Sequence, residues 1–285
     1  MSSCFPTCGR RVSNSPIGVF DSGVGGLTVL KALAAQLPRE HFVYLGDTAR
    51  LPYGTKSPQT VARYSLQAAE ALTDYGVKCL VIACNTASSV GLPAIRERIE
   101  NVPVIGVIEP GAQAACTASR TGNIAVIATE GTVRGGAYQQ AILRIRPDAR
   151  VNATAAPLFV ALAEEGLNEG PIANDIATYY LGPMFSPSDV NAAVPDTLVL
   201  GCTHFPMLAG AIRRAAGATV QIVDSAATTA ARVDMLLRQA GLAKVEGGAG
   251  RIRLLATDGA ERFARVGSRF LERAIAPEEV ELVDL

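Results

Sequence analysis

The feature that most constrains the fold is an apolar segment, Cys79 to Ala83, that leads into Cys84 and a cluster of small polar residues. This pattern predicts a buried strand that ends at a turn into a helix. A second segment, Leu198 to Gly201, leads into Cys202 in the same way. In α/β proteins, ligands bind at the carboxyl ends of strands, and helix N-termini there attract anions. We therefore expect one site in which two thiols face each other.

The composition argues against several classes of protein. The chain has 285 residues with 26 basic and 26 acidic side chains, so it lacks the basic footprint of a nucleic-acid-binding protein. No apolar run approaches the ~18 residues of a membrane span. The N-terminal residues lack the apolar segment of a secretory signal. We therefore expect a cytoplasmic protein with reduced thiols, and neither nucleic acid nor membrane as a partner.

Residues 1–15 are polar and show no periodicity, which predicts a flexible N-terminal extension. Cys4 and Cys8 lie in this extension without the further ligands that a four-ligand zinc site needs. The sequence therefore predicts no metal site.

Strands alternate with helical patterns along the rest of the chain, which predicts an α/β fold with mainly parallel sheets flanked by helices. The strand and turn around Asp21 recur about 107 residues later, and the strand-to-cysteine pattern recurs 118 residues later, from Cys84 to Cys202. These spacings indicate two related domains. A single helix is expected from the turn at Thr132 to about Ile145.

A glycine-rich turn follows the first strand and gives a partial match to a dinucleotide fingerprint. Gly23 and Gly25 fit, but Thr28 occupies the place of the third glycine. Asp47 lies near the position of a ribose-binding acid. A dehydrogenase is therefore kept as an alternative.

Two thiols in one site would suit proton transfer at carbon. A thiolate can act as a base, and a helix N-terminus favours the anion. If one thiolate takes a proton while a thiol on the opposite wall donates one, the stereocentre is inverted without a cofactor. A single cysteine with a histidine would instead indicate hydrolysis through a thioester. Cys79 and Cys116 are interpreted as small core residues.

The neighbouring residues could bind and tune such a site. Asp21 and His204 are ionisable groups that could orient the thiols or receive an ammonium group, although Asp21 could equally cap the next helix. Neutral hydrogen-bond donors also follow the predicted strands: Ser22, Asn85, Thr86 and Thr203.

Four motifs resemble signatures of the glutamate racemase family, within the aspartate/glutamate racemase superfamily. They are Phe20–Leu27, Leu51–Ser57, Ala83–Ser88 and Gly201–Pro206, and they occur in the family's order and spacing. The resemblance covers about residues 16–270. It implies an isomerase, independent of cofactors, that interconverts L- and D-glutamate and supplies D-glutamate for peptidoglycan.

The resemblance also implies roles for individual residues. Cys84 would deprotonate D-glutamate and Cys202 would deprotonate L-glutamate, with Asp21 and His204 as the assisting pair. Glu164 corresponds to a further acidic helper, with Glu165 beside it as an alternative. The implied substrate contacts are Asp21, Ser22, Tyr53, Gly54, Asn85, Thr86, Thr132, Thr203 and His204.

The family fold has two pseudo-symmetric domains with the active site between them. By resemblance, the first domain comprises residues 16–110 plus 224–285, and the second comprises residues 111–223. Some members with N-terminal extensions are activated by a peptidoglycan precursor, so such an activator is a candidate partner. The oligomeric state varies in the family, and a homodimer is one expectation.

Three other functions remain open from the sequence. The chain could racemise aspartate or another acidic amino acid on the same fold. It could be a two-lobed protein that binds an amino acid without chemistry. It could also be a Cys-His hydrolase that uses only one of the two cysteines.

Overall fold

The computed structural model describes residues 13–186 and 193–285. Most of the predicted flexible extension, residues 1–15, lies outside these ranges, as do Cys4 and Cys8. Within them the protein is an α/β structure with two parallel sheets, as predicted.

The described strands form a six-stranded sheet and a four-stranded sheet. The strands are β1 (Ile17–Asp21), β2 (Phe42–Gly46), β3 (Cys79–Ile82), β4 (Val104–Gly106), β5 (Asn123–Ala128), β6 (Arg150–Ala155), β7 (Thr197–Gly201), β8 (Gln221–Asp224), β9 (Ile252–Ala256) and β10 (Val280–Leu282). The first sheet has the order β10-β9-β2-β1-β3-β4 and the second the order β6-β5-β7-β8. All pairings between these strands are parallel.

Helices connect the strands and cover the sheets. They are α1 (Leu27–Gln36), α2 (Pro58–Thr73), α3 (Asn85–Val90), α4 (Leu92–Arg98), α5 (Ile108–Ala118), α6 (Glu130–Gly135), α7 (Ala137–Ile145), α8 (Leu158–Glu165), α9 (Pro171–Phe185), α10 (Ala209–Ala216), α11 (Ser225–Gln239) and α12 (Ala260–Leu271). In the described part of the chain, no helix is long and apolar enough to cross a membrane.

Local sequence explains where several helices begin and end. Helix α2 begins after Ser57, whose side chain accepts a hydrogen bond from the backbone N–H of Thr60, and Pro58 occupies its first turn. The predicted single helix up to Ile145 is wrong. Gly136 adopts a left-handed conformation with φ of 65° and separates α6 from α7.

The buried side chains form a core that extends across both sheets. One continuous cluster joins residues of the first sheet, such as Val19 and Val81, to residues of the second, such as Ile127 and Leu200. Two smaller clusters cover the remaining face of each sheet. The two sheets are therefore packed into one body, and their relative position is held by shared apolar packing.

The strands of the first sheet come from both ends of the described chain, whereas those of the second sheet all come from its middle. We propose that the domains follow the sheets, with bounds of 16–110 plus 224–285 and 111–223. These bounds stay a prediction.

A buried ion pair attaches the chain after α11 to the first sheet. The Lys78 Nζ lies 2.5 Å from the Glu40 Oε2, and both side chains are almost fully buried. Lys78 also donates to the carbonyl of Leu242 at 2.8 Å, and Glu40 accepts from the backbone N–H of Lys244 at 2.7 Å. The pair thus holds three separate segments together.

Replacing Lys78 with Met should leave the Glu40 carboxylate buried without its cation. Loss of one partner of a buried pair typically costs about 3–5 kcal/mol in the free energy of unfolding. Urea denaturation would measure this loss. The matched control is Lys31→Met, because Lys31 forms an exposed pair with Glu272 at 2.6 Å. Such a pair contributes roughly 0–1 kcal/mol, so equal losses in the two variants would contradict the interpretation.

Candidate active site

A cavity of about 300 Å³ lies where the carboxyl ends of the two sheets meet. Both candidate thiols line it: Cys84 follows β3 of the first sheet, and Cys202 follows β7 of the second. Most of the other predicted site residues line it as well, namely Ser22, Tyr53, Gly54, Asn85, Thr86, Glu164, Thr203 and His204. Asp21 and Thr132 are buried just behind the lining residues. The structure therefore brings the predicted set together.

Cys84 lies at the junction between β3 and α3. Its Sγ accepts a hydrogen bond from the backbone N–H of Ala87 at 3.4 Å and lies 3.5 Å from the Oγ of Ser22. Burial raises the pKa of Cys84 to about 12, and the nearby Asp21 carboxylate adds to this effect. The contacts with Ser22 and Ala87 oppose the shift without cancelling it. The Cys84 thiol is therefore protonated at neutral pH and can act as an acid.

Cys202 lies beside a buried histidine on the other side of the cavity. The Sγ of Cys202 is 3.8 Å from the Nδ1 of His204, and the Nε2 of His204 is 3.1 Å from the Oε1 of Glu164. Burial works against protonation of His204, but the hydrogen bonds to Cys202 and Glu164 raise its pKa to about 10. The hydrogen bond from His204 lowers the pKa of Glu164, although burial opposes it. At neutral pH an imidazolium thus lies next to Cys202.

Glu165 takes no part in this contact. It lies exposed at the end of α8, one residue beyond Glu164. The structure therefore places Glu164, and not its neighbour, against His204. Adjacent helix positions point in different directions, which explains why only one of them reaches the site.

Asp21 is a buried carboxylate at the end of β1. Its Oδ2 accepts a hydrogen bond from the backbone N–H of Gly23 at 3.0 Å, whereas its Oδ1 has no hydrogen-bond partner among the described residues. Burial raises the pKa of Asp21, and the His204 imidazolium counteracts part of this increase. Asp21 therefore influences both thiols: it raises the pKa of Cys84 and stabilises the cation beside Cys202.

The turns after β1 and β7 come unusually close to each other at Gly25. A Cβ atom at this position would lie 2.4 Å from both the Cε1 of His204 and the Oγ1 of Thr203. Thr28 reinforces the contact by donating a hydrogen bond to the carbonyl of Thr203 at 3.0 Å. Glycine is therefore required at position 25 for the two halves of the site to meet.

Tyr53 has its hydroxyl group committed to a buried carboxylate, Asp47, to which it donates a hydrogen bond. Asp47 also accepts from the Nε of Arg50 at 2.6 Å and from the hydroxyl of Thr257 at 2.9 Å. The Asp47 carboxylate thus has hydrogen-bond donors within the protein and does not need the ribose of a dinucleotide as a partner. The contacts therefore do not favour the dehydrogenase alternative. They also fix the loop that carries Tyr53 and Gly54 into the cavity wall.

Three threonine hydroxyls form a cluster that joins the two halves of the site. Thr86 on α3 lies 2.9 Å from Thr129 and 3.2 Å from Thr132, and the latter two lie 3.0 Å apart, measured between Oγ1 atoms. Sequence reasoning missed Thr129, although it follows directly after β5 and the same strand-end signal could have found it. Val160 and Ala161 also line the cavity, and no motif points to them.

The described residues contain no group of three or more His, Cys, Asp or Glu side chains that could hold a metal ion. The cavity offers thiols, neutral donors, one buried imidazolium and the carboxylates of Glu130 and Glu164. This set can transfer protons at a carbon atom that carries an anionic group.

Comparison with known proteins identifies the class. The profile of the family described as Asp/Glu/Hydantoin racemase matches residues 17–233. The chain therefore belongs to this racemase family and is an isomerase.

Comparison with individual relatives gives more detail than the family profile. The chain is 49% identical to a glutamate racemase of Geobacter metallireducens over 255 residues, which is 90% of this chain and 92% of the relative. The glutamate racemase of Francisella tularensis in complex with D-glutamate has a TM-score of 0.86 at 34% identity, with 95% of this chain and 98% of that chain covered. The Escherichia coli enzyme, in complex with L-glutamate and the activator UDP-MurNAc-ala, has a TM-score of 0.73 at 30% identity, with 95% and 99% covered. The resemblance to glutamate racemases is thus confirmed.

The pKa values of the two histidines should be shifted in opposite directions from that of an ordinary histidine. Burial and the neighbouring Lys244 lower the pKa of His41 from 6.5, whereas the pKa of His204 is raised to about 10. At pH 8 we expect one imidazolium, at His204, and one neutral ring, at His41. Nitrogen-15 NMR of the imidazole side chains across a pH titration would measure both.

Glu164→Gln provides the matched variant for this titration. It removes the carboxylate that stabilises the His204 cation, so the midpoint of His204 should fall while that of His41 stays unchanged. Titration of both histidines near pH 6.5 in the wild-type protein would contradict the assignment.

Proposed function

We propose that the chain is a glutamate racemase that uses Cys84 and Cys202 as its two catalytic acid–base groups and needs no cofactor. The observation that carries the proposal is that the two thiols reach one cavity from two different sheets. The substrates of the named relatives support glutamate as the amino acid.

The cavity wall suits a substrate with two carboxylates. Asn85 accepts a hydrogen bond from the Tyr138 hydroxyl at 2.8 Å, and its Nδ2 has no hydrogen-bond partner among the described residues. The hydroxyls of Ser22, Thr86 and Thr203 add neutral donors that do not require a counter-charge. We infer that these groups, with backbone N–H groups of the turns, hold the substrate carboxylates.

The charged groups around the two thiols suggest an order of proton transfers for the conversion of L-glutamate. Cys202 as thiolate, stabilised by the adjacent His204 imidazolium, takes the α-proton and becomes a thiol. The electron pair left on the α-carbon is delocalised into the α-carboxylate, where hydrogen-bond donors stabilise the added charge. Cys84, protonated at the start, gives its proton to the opposite face and becomes a thiolate. The product is D-glutamate, and the reverse sequence converts D-glutamate.

The assisting residues follow from the same arrangement. Glu164 keeps His204 positively charged beside Cys202, and the buried Asp21 is the carboxylate that acts on Cys84. We propose that Asp21 and His204 help the two thiols to exchange protons on their respective sides. Tyr53 and Gly54 contribute the backbone of their loop, because the Tyr53 hydroxyl is already bonded.

The biological role is proposed from the reaction. D-Glutamate formed by this enzyme would supply peptidoglycan synthesis, as the resemblance implies. Cytoplasmic localisation and a homodimer stay predictions.

We also propose that a peptidoglycan precursor activates the enzyme. The E. coli structure contains such an activator, UDP-MurNAc-ala. A second groove of about 1030 Å³ on this chain is lined by three arginines, Arg96, Arg144 and Arg232. Arg144 and Arg232 form no ion pair with the described residues, so they are available for the pyrophosphate of a nucleotide sugar.

Addition of UDP-MurNAc-Ala should raise kcat/KM for glutamate in the wild-type enzyme. The double variant Arg144→Gln/Arg232→Gln should lose this stimulation and keep the basal rate. If UDP-MurNAc-Ala neither binds nor changes the rate, the proposal that this precursor activates the chain is wrong.

The catalytic proposal is tested by incubating the protein with L-glutamate in D2O under reducing conditions, without added cofactor or metal. We expect loss of the α-proton NMR signal together with loss of optical rotation. Cys84→Ser and Cys202→Ser should each slow racemisation by about 10²–10⁴-fold, because each face needs its own acid or base. Cys116→Ser, half-buried and away from the cavity, is the control and should stay at the wild-type rate.

The same experiment separates the alternatives. A Cys-His hydrolase would depend on Cys202 alone and would form a trappable acyl-enzyme. A binding protein would retain the α-proton, a result that membership of a racemase family already disfavours. Faster turnover of aspartate than of glutamate would overturn the substrate assignment in favour of an aspartate racemase.

A further inference from the structure

Glu164 holds two cationic side chains with its two carboxylate oxygens. Its Oε1 faces the Nε2 of His204 at 3.1 Å, and its Oε2 accepts a hydrogen bond from a terminal nitrogen of Arg262 at 2.6 Å. The Glu164 side chain is 17% exposed and that of Arg262 is 51% exposed. The site thus extends from the buried imidazole to an arginine at the surface.

Arg262 reaches Glu164 from the other half of the molecule. Glu164 lies on α8, which packs against α9 and the turn Phe205–Leu208, next to the second sheet. Arg262 lies on α12, which packs against α1 and β10 of the first sheet. The ion pair therefore crosses between the two halves.

Helix α12 makes two further contacts with the same region. Arg269 lies two turns after Arg262 and donates a hydrogen bond to the backbone carbonyl of Glu164 at 2.8 Å. Phe270 packs edge-on against the His204 ring with 5.1 Å between the ring centroids. Three side chains of one helix thus surround the Glu164–His204 pair.

An ion pair whose arginine is half exposed is screened by solvent and adds little to folding stability, about 1 kcal/mol or less. Its effect on geometry is larger. A carboxylate that bonds only to His204 is free to rotate about its last torsion angle, which is broad for glutamate. The planar guanidinium of Arg262 fixes the second oxygen and so restricts this rotation.

We propose that Arg262 is a positioning residue, which holds the Glu164 carboxylate against His204 and thereby keeps His204 oriented toward Cys202. The proposal rests on the proposed racemase function, in which Cys202 exchanges a proton with the substrate. Among the described residues, the charged and titratable groups that face the pair are Cys202 and Asp21 on the side of His204, and Arg262 and Arg269 on the side of Glu164.

A double-mutant cycle tests the proposal. Arg262→Gln should lower kcat/KM for glutamate by about tenfold, which is less than the roughly 10²-fold that a full displacement of about 1 Å can cost. In the Glu164→Gln background the same change should have less than about a twofold effect, since Arg262 acts through the carboxylate. A merely structural role of Arg262 would give equal losses in both backgrounds and would overturn the proposal, as would a wild-type rate for Arg262→Gln.

Arg265→Gln is the matched control. Arg265 lies exposed on the same helix, and the structure shows no ion pair for it among the described residues. The variant removes the same charge from α12 and should retain the wild-type kcat/KM. A tenfold loss in this variant as well would show that the total charge of the helix, and not the contact of Arg262 with Glu164, is responsible.

A second readout does not depend on activity. In the wild-type protein the Nε2 proton of His204 is hydrogen-bonded to Glu164 and should exchange slowly with solvent at pH 8. Its exchange, followed by NMR, should become faster in Arg262→Gln and stay slow in Arg265→Gln. If the wild-type protein fails to exchange the α-proton of glutamate, the proposed function fails, and this measurement alone decides the role of Arg262. Unchanged exchange in Arg262→Gln would then refute that role.

Discussion

The site depends on the requirement that a parallel sheet be covered on both faces. Strands of such a sheet run in one direction, so their carboxyl ends meet at one edge, and both faces have to pack against helices. Here the two sheets share one continuous apolar core, and this packing sets their edges against each other. The close contact of Gly25 with Thr203 and His204 forms at the junction. The two thiols reach the same cavity because their strands belong to sheets that share one apolar core.

The two sides of the cavity have similar local structures and different electrostatics. Each thiol follows a buried strand, but Cys202 lies beside an imidazolium and Cys84 is affected by a buried carboxylate. Burial strengthens both effects, because charges interact more strongly where water is excluded. One thiol therefore lies next to a cation while the other is held protonated. A fold with two similar halves thus gives its two buried thiols different electrostatic surroundings.

Much of this site could be predicted from the sequence, because its residues come directly after strands. Cys84, Cys202, Asp21 and Thr203 all follow apolar runs, and the carboxyl ends of parallel strands are where ligands bind. The choice between Glu164 and Glu165 needed the direction of α8 in space, which two adjacent acidic residues do not reveal. The break at Gly136 was missed although the sequence contains a signal for it, because the adjacent glycines Gly135 and Gly136 form a pair that is typical of turns. Helix α9 was not predicted, and it carries an internal Pro183 and weak amphipathic periodicity. Arg262 lies almost one hundred residues from its partner, and only tertiary packing brings the two together.

The number of hydroxyl protons limits the hydrogen bonds that the threonine cluster can form. Thr86, Thr129 and Thr132 have one hydroxyl proton each, and the cluster contains three contacts. All three protons are therefore used when every contact is a hydrogen bond. A hydroxyl that turns its proton toward a bound anion has to give up one of these contacts. Two of the three connect α3 with α6, through Thr129 just before that helix and Thr132 within it. The same hydroxyl protons would thus serve either a bound anion or the hydrogen bonds between the two halves. An anion in the cavity would therefore weaken the hydrogen bonding that joins the halves.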